Sequence, residues 1–218
     1  NIFLCNTMKD KYISLYKNTN DYFILDNSYL LLNNLYKKDF NKSLNIGYLS
    51  NITIDKGFEI FCDACKLLLK KDSTITIHIA GPIIGGEEKK LLDDLKTNFH
   101  KNIKYYGSVY GEDKNTFLNT INVFLFPTIY KNEAQPLVIY EALAHNNLVI
   151  SMNRGCIQDQ ISISKEINDP VKFIEKTLKI LSDEKSLEII REEQFEKFKT
   201  KFNKKEEVLK ELNEFLFK

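Results

Sequence analysis

Short apolar runs alternate along the chain with longer segments in which apolar residues recur every three or four positions. The short runs are rich in β-branched and aromatic residues and predict strands at 45–49, 74–80, 103–106, 122–126 and 148–152. The longer segments predict helices at 57–71, 87–99, 112–120 and 136–145. Strict alternation of strand and helix predicts an α/β fold, with a Rossmann-like parallel sheet and helices on both faces. The strands carry few polar residues, as is typical of a sheet that is covered on both sides.

Residues 1–40 do not continue this alternation. They contain a helical pattern at 10–17 and a strand pattern at 22–25, followed by an Asn-rich turn. Because one helix and one strand cannot form a core, we interpret 1–40 as the tail of a preceding domain and a linker. The chain begins at Asn1 with neither Met nor a charged-then-apolar leader, so we expect it to be a piece of a longer protein.

The segment 166–218 follows the Rossmann-like domain, which we place at 41–165. Its patterns predict helices at 169–181, 185–200 and 204–218. These helices carry mixed charge and the aromatic residues Phe195, Phe198, Phe202, Phe215 and Phe217. We expect some of these aromatic rings to pack on the sheet and others to face the preceding domain.

The composition excludes several classes of protein. Of 218 residues, 43% are hydrophobic and 28% are charged, which is enough apolar surface to build a core. The 31 basic residues against 30 acidic ones give a net charge of +1, which argues against nucleic acid as a partner. The longest apolar stretches, near 29–32 and 123–126, are far shorter than the roughly 18 residues that a membrane span needs.

The cysteines Cys5, Cys62, Cys65 and Cys156 are too few and too scattered for a disulfide scaffold. Cys62 and Cys65 have the spacing of half a zinc site, but they lie on the apolar face of a predicted helix, and the second pair of ligands that zinc needs is missing. We interpret them as buried thiols, which fits a reducing cytoplasm.

Glycine and proline cluster where the predicted strands end. The loops in question are 50–57, 81–86, 107–111 and 127–141. The carboxyl ends of parallel strands lie at one edge of a sheet, where ligands of such sheets bind. The sequence therefore predicts a binding site built from these loops.

The loop 127–141 is the most informative of them. Pro136 suits the first turn of a helix, so the amides of Leu137 and Val138 are free donors at a helix N-terminus and suit a diphosphate. Glu133 precedes this helix and Glu141 lies within it, so a phosphate at the helix tip would have one carboxylate on each side. Carboxylates accept hydrogen bonds from sugar hydroxyls, which indicates a nucleotide ribose on one side and a hexose on the other.

The stretch NEAQPLVIYEALA, with the Lys56-Gly57 pair, the segment IHIAG and the segment YYGSVYGEDK, resembles the retaining GT-B glycosyltransferases of family 4, also called glycosyl transferases group 1. The resemblance covers about 46–160 strongly and implies one half of a GT-B fold. The Glu-x7-Glu pair is a weak signal by itself and becomes strong when the other loops follow in the same order. The surface-charge alternative remains open for Glu133, Glu141 and Lys56.

The resemblance implies a role for each matching residue. Glu141 would bind the ribose hydroxyls and Glu133 would bind hydroxyls of the transferred sugar. The diphosphate would bind to the ammonium of Lys56 and to the amides of Leu137 and Val138. These two charged residues, Glu133 and Lys56, are the candidates for catalysis.

Further positions complete the implied site. Backbone near Gly81 and Val109 would line the base pocket. The family's Arg is replaced by Asn51, which can bind phosphate without adding charge. The family's Gly-containing turn is replaced by 145–148, in which Asn tolerates a left-handed conformation.

The histidines and the remaining charge clusters have ordinary structural explanations. We expect His78 to lie in a strand and His100 and His145 to lie at helix ends, and we assign none of them as a catalytic base. The acidic pair 93–94 points in two directions from the middle of a helix and is predicted to be solvated. Lysines in 197–205 could meet an anionic membrane surface, but the interleaved glutamates favour a solvated face.

The function implied is the donor-binding half of an enzyme that moves a hexose, with retention, from a UDP- or GDP-linked sugar to a surface-glycan or lipid-linked acceptor. The acceptor would bind through the preceding domain, and this fragment alone would transfer little or nothing. We expect no cofactor and no metal, because Lys56 and the helix supply positive charge.

The remaining expectations are a bacterial enzyme of polysaccharide biosynthesis and a cytoplasmic location, with peripheral contact to the membrane left open. The alternatives are a non-catalytic GT-B-like binding module and a GT-B sugar-nucleotide epimerase. A dinucleotide-dependent oxidoreductase is disfavoured because no G-x-G-x-x-G follows the first strand of the alternating pattern.

Overall fold

A five-stranded parallel sheet forms the centre of the chain. The computed structural model describes residues 1–17, 21–31, 35, 36, 38 and 43–217. The strands are β1 (Ile2–Phe3), β2 (Phe23–Ile24), β3 (Asn45–Leu49), β4 (Thr76–Ala80), β5 (Ile103–Tyr105), β6 (Val123–Phe126) and β7 (Leu148–Ser151). The α-helices are α1 (Asn6–Tyr16), α2 (Phe58–Lys71), α3 (Gly86–Phe99), α4 (Gly111–Thr120), α5 (Leu137–Ala144), α6 (Ile157–Gln160), α7 (Pro170–Leu181), α8 (Glu184–Phe202) and α9 (Lys205–Leu216).

The strand order in the central sheet is β5-β4-β3-β6-β7, and all neighbouring strands are parallel. The chain builds outward from β3 in one direction through β4 and β5, then returns to the other side of β3 for β6 and β7. This doubly wound arrangement confirms the predicted α/β class, and the predicted strands and helices of 45–152 are all present with ends shifted by one or two residues.

The sheet is buried on both faces because successive residues of each strand point to opposite sides. Ile46 and Tyr48 of β3 pack with α2, α3 and α7. On the other face, Leu49 of β3 and Phe124 of β6 pack with α4 and α5. Gly47 leaves room for the side chain of Ile121, which would lie 2.4 Å from a Cβ at this position.

The N-terminal residues form a small βαβ unit against the edge of the main domain. β1 pairs in parallel with β2, and α1 connects them. β1 was not predicted because its two residues are too short for a periodic pattern. The assignment of 1–40 to a preceding domain stays a prediction, and 32–34 and 39–42 of the expected linker lie outside the described residues.

A disulfide joins this N-terminal unit to the main domain. Cys5, at the start of α1, is bonded to Cys156, at the start of α6, and their Cα atoms are 5.9 Å apart. The expectation of scattered cysteines without a disulfide is therefore wrong for this pair. Cys62 and Cys65 are free and buried on α2, as predicted.

The C-terminal helices cover the domain as predicted. Phe195 and Phe198 of α8 are buried, and the ring of Phe215 of α9 lies 5.6 Å from that of Phe23. Phe217 is 83% exposed, so its expected contact with a preceding domain stays a prediction. Within the described residues, no helix is long and apolar enough to span a membrane.

Candidate functional site

A cavity of about 340 Å³ opens at the carboxyl ends of β3 and β6. The sheet order places its topological switch point between these strands, which is where open α/β sheets bind ligands. Every residue that the sequence singled out lines this cavity, namely Asn51, Lys56, Gly81, Val109, Glu133, Leu137, Val138 and Glu141. The structure thus brings the predicted residues together, while their individual roles stay predictions.

The loops after β3 and β4 form one wall of the cavity. Ile52 and Ile83 continue the parallel pairing beyond the strands, and the amide of Ile52 donates to the carbonyl of Pro82 at 2.9 Å. Gly81 has a φ of 125°, and a Cβ there would lie 1.7 Å from the carbonyl oxygen of Ser50. Only glycine allows this close approach of the two loops, which leaves the side chain of Asn51 exposed at the cavity.

Lys56 and Glu133 form an ion pair in the cavity, with 2.7 Å between Nζ and Oε2. The hydroxyl of Thr128 donates to the same carboxylate oxygen at 3.1 Å, and the ammonium lies 4.8 Å from the ring centre of Tyr130. The Glu133 side chain is only 9% exposed and that of Lys56 is 24% exposed. The cation is therefore held in a fixed place, with donors left over for a ligand.

Glu141 forms a second ion pair, with 2.5 Å between its Oε1 and Nζ of Lys114. Its side chain is 14% exposed and that of Lys114 is 29% exposed. Both residues line the cavity, so each of the two predicted carboxylates has a lysine partner at the site. A neutral group of four charges, two of each sign, surrounds the start of α5.

The N-terminus of α5 faces the cavity. Pro136 precedes the helix as its N-cap, one position earlier than the predicted first turn, and its carbonyl accepts a hydrogen bond from Nε2 of Gln160 at 3.0 Å. The amides of Leu137 and Val138 have no carbonyl one turn earlier to bind. They can therefore donate to an anion, and the dipole of the helix adds to the attraction.

The loop that carries Glu133 is held from behind by the turn before α6. Gly155 has a φ of 52°, and a Cβ there would lie 2.1 Å from the carbonyl oxygen of Glu133. The amide of Cys156 donates to the carbonyl of Ala134 at 2.6 Å. The disulfide to Cys5 anchors this turn, so the N-terminal unit contributes to the position of Glu133.

A buried polar cluster lies on the other side of the same loop. Oδ2 of Asp26 accepts hydrogen bonds from Nε2 of Gln135 at 2.9 Å, from the hydroxyl of Tyr140 at 2.8 Å and from Nζ of Lys201 at 2.7 Å. Burial raises the pKa of Asp26, but the ammonium of Lys201 and these hydrogen bonds outweigh it, and the pKa is below its ordinary value. The cluster ties the N-terminal unit and α8 to α5.

The histidines lie where the sequence predicts. His78 is buried in β4, with Nδ1 2.8 Å from the hydroxyl of Tyr106. His145 caps the C-terminus of α5, and the following Asn146 adopts a φ of 53°, which confirms that Asn can replace Gly in this turn. Burial lowers the pKa of both imidazoles. Neither histidine lines the cavity.

The remaining candidate groups have structural partners. Asp94 pairs with Lys66 at 2.8 Å. In the lysine run 197–205, Lys201 binds Asp26, and Lys205 donates to the carbonyl of Leu31 at 2.6 Å. In the part of the chain that the structure describes, no group of three or more His, Cys, Asp or Glu side chains could hold a metal ion.

Sequence reasoning missed Lys114 and the cluster around Asp26. Lys114 belongs to a polar helical segment and looks there like any exposed lysine. Its signal was only its place, one turn after the glycine-containing loop that follows β5. For Asp26 and Gln135 nothing local indicates a contact, because 109 positions separate them.

A family model described as "Glycosyl transferases group 1" matches residues 36–197. No curated protein matches the chain significantly.

Several solved structures share its fold. One is S. aureus TarM, solved in complex with fondaparinux, α-GlcNAc-glycerol and UDP, at a TM-score of 0.76 and 18% identity over 98% of this chain and 43% of TarM. The pneumococcal O-GlcNAc transferase GtfA, in complex with UDP and GlcNAc, has a TM-score of 0.70 and 14% identity over 98% of this chain and 44% of GtfA. HepE from Anabaena, in complex with UDP and glucose, has a TM-score of 0.70 and 14% identity over 99% of this chain and 62% of HepE.

These likenesses establish the fold, and they also set its extent. The chain spans less than half the length of TarM and GtfA, with 43% and 44% covered. The arrangement of sheet and helices matches one half of the GT-B architecture.

Proposed function

The chain belongs to the glycosyl transferases group 1 family, and from this premise we propose that it is the donor-binding half of a retaining hexosyltransferase. The donor is a nucleoside diphosphate sugar, and the acceptor is a surface glycan or lipid-linked saccharide bound by a preceding domain. The observation that carries the proposal is the cavity at the switch point, in which two ion-paired carboxylates flank the free start of α5.

The diphosphate binds at the N-terminus of α5 in this proposal. The amides of Leu137 and Val138 donate to its oxygens, and the ammonium of Lys56 adds a full positive charge from the opposite loop. Asn51 donates from its side-chain amide. Because charge develops on the departing diphosphate as the glycosidic bond breaks, these donors lower the barrier to transfer.

The two carboxylates divide the donor between them. Glu141 accepts hydrogen bonds from the ribose, and Glu133 accepts them from hydroxyls of the transferred hexose. The backbone near Gly81 and Val109 lines the base pocket. UDP is the first base to test, because TarM, GtfA and HepE were all solved with UDP bound.

Calorimetry on this chain tests the proposal directly. UDP, GDP, ADP and CMP are titrated first, followed by the corresponding nucleotide sugars. We expect one diphosphate to bind with a dissociation constant between about 10 μM and 1 mM, roughly −7 to −4 kcal/mol, because half of the interdomain cleft is absent. Glu141→Ala should weaken this binding at least about tenfold, whereas Glu188→Ala, an exposed glutamate of α8, should not change it.

Two outcomes would count against the proposal. Binding that is equal for wild type and Glu141→Ala would place the nucleotide elsewhere. An absence of binding by this chain and by the same domain joined to its preceding domain would support the alternative of a module without donor. Transfer by this chain alone at the rate of a complete enzyme would contradict its assignment as a half-site.

A further inference from the structure

Lys114 and Glu141 present a donor and an acceptor side by side in the cavity, and Lys114 has no role in the function described above. We propose that this pair binds the cis-diol of the donor ribose, and that Lys114 thereby makes the site selective for ribonucleotides over deoxyribonucleotides. The inference rests on the proposed function, because it assigns a second residue to the ribose end of that site.

The position of Lys114 gives the first argument. Lys114 stands in α4, one turn after the loop 107–111, and reaches to α5, where its ammonium lies 2.5 Å from Oε1 of Glu141. Both side chains line the cavity together with Val109 and Tyr110, which precede α4. A ligand that contacts Glu141 therefore meets the Lys114 ammonium next to it.

The chemistry of the pair gives the second argument. A lysine ammonium has three donors, and Glu141 uses one of those of Lys114. The carboxylate has a second oxygen, Oε2, for which the described residues supply no hydrogen bond. The pair thus offers an acceptor and further donors about one hydrogen-bond length apart. A ribose cis-diol has its two oxygens at a similar spacing, so one hydroxyl can donate to Oε2 while its neighbour accepts from the ammonium.

The degree of exposure argues against a purely structural role. The side chains are 29% and 14% exposed, and the cavity gives them contact with solvent. Ion pairs of this kind contribute little to stability. The pair of Lys201 with Asp26 contrasts with it, because Asp26 is buried among protein groups and neither residue lines the cavity.

The test compares UDP with 2′-deoxy-UDP and 3′-deoxy-UDP by calorimetry on this chain. Wild type should bind UDP at least about tenfold more tightly than one or both analogues, since a charge-assisted hydrogen bond is lost. Lys114→Met keeps the length of the side chain and removes the ammonium. It should bring the ratio for the hydroxyl that faces Lys114 close to one.

Lys101→Met is the matched control, because Lys101 is exposed and precedes β5 at the opposite end of the sheet. It should keep both wild-type ratios. Glu141→Gln, which retains the size of the side chain, should also reduce the selectivity and gives a second test if Lys114→Met does not fold. Thermal unfolding of each variant shows whether it is folded.

The outcomes separate this inference from the proposed function. If wild type binds UDP and Lys114→Met keeps both ribo-to-deoxy ratios, the inference is wrong and the proposed function stands. Equal tightening of all three ligands in Lys114→Met would show that the lysine only blocks the carboxylate, which also contradicts the inference. If no nucleoside diphosphate binds to wild type, the proposed function fails and the inference fails with it.

Discussion

The ammonium of Lys56 lies 2.7 Å from Oε2 of Glu133, although 77 positions separate the two residues in the chain. Lys56 follows β3 and Glu133 follows β6, and the two strands are neighbours in the sheet at its switch point. The hydroxyl of Thr128 donates to the same oxygen, so the carboxylate is fixed from a second side. The sheet order, rather than local sequence, places this cation beside the start of α5.

Lys56→Met should therefore weaken diphosphate binding selectively. We expect the affinity for UDP to fall about tenfold to a hundredfold, the usual range for losing a hydrogen bond to a charged group. Uridine lacks the phosphates, so its weaker binding should not change. Calorimetry with both ligands measures the difference, and Lys101→Met serves as the control. An equal loss for uridine and UDP would show that Lys56 shapes the whole cavity rather than binding phosphate.

Glu133→Gln should affect the sugar and spare the nucleotide. The amide keeps the size of the side chain, and the ammonium of Lys56 stays in the cavity, so UDP should bind within about threefold of wild type. UDP-glucose and UDP-GlcNAc should lose whatever advantage they hold over UDP, because the acceptor for their hydroxyls is weakened. Competition between UDP and each sugar nucleotide provides the measurement. A large loss for UDP itself would instead mean that Glu133 acts by holding Lys56 in place.

The sheet could be predicted because each strand from β3 to β7 is buried on both faces and so appears as an unbroken apolar run. The candidate site followed from the same pattern, since Gly81 and Pro136 mark loops at the carboxyl ends of these strands. Predicting which loops meet needs only the rule for open parallel sheets.

Contacts between distant polar side chains could not be predicted in this way. Lys114 is one of 31 basic residues, and nothing next to it distinguishes it from the others. Asp26 and Gln135 pair across 109 positions, and Cys5 and Cys156 pair across 151. These partners are chosen by tertiary packing, which leaves no periodic signal in the chain.

The disulfide predicts the number of reactive thiols. In denaturant without reductant, only Cys62 and Cys65 should react with a thiol reagent, and reductant should expose Cys5 and Cys156 as well. Reduction, or the double substitution of Cys5 and Cys156 by Ser, should lower the free energy of unfolding by about 2–4 kcal/mol. Reductant should not affect the double variant further. Reaction of all four thiols in denaturant without reductant would rule out the bond.

Asp26→Asn should destabilise the chain at neutral pH by about 1–3 kcal/mol, because Asn cannot carry the charge that Lys201 and Tyr140 bind. The pKa of Asp26 is below its ordinary value, so its contribution is present above about pH 4 and is lost as the pH falls through the folded-state pKa. The difference between wild type and variant should therefore shrink below pH 4.

Urea unfolding at pH 7, 5 and 3.5 measures this difference. Asp93→Asn, which changes an exposed carboxylate of α3, should stay within about 0.5 kcal/mol of wild type throughout. A difference between wild type and Asp26→Asn that is independent of pH would show that the charge of Asp26 does not contribute.

His78 should make the stability depend on pH in a different range. It is buried in β4, with Nε2 3.0 Å from Oδ1 of Asn45 and Nδ1 2.8 Å from the hydroxyl of Tyr106. Burial, with a smaller effect of the positive charge of Lys104, lowers its pKa to about 4. The unfolded imidazole takes up its proton near pH 6.5, so between these values the unfolded state binds more protons than the folded state.

The free energy of unfolding should therefore fall as the pH drops from about 7 to 4, with His78 contributing up to about 3 kcal/mol. His78→Gln can keep one donor and one acceptor but does not titrate, so its stability should decline less over this range. His100→Gln, at the exposed end of α3, should parallel wild type. Parallel curves for wild type and His78→Gln between pH 7 and 4 would show instead that the folded imidazole can be protonated without cost, which its burial between Asn45 and Tyr106 argues against.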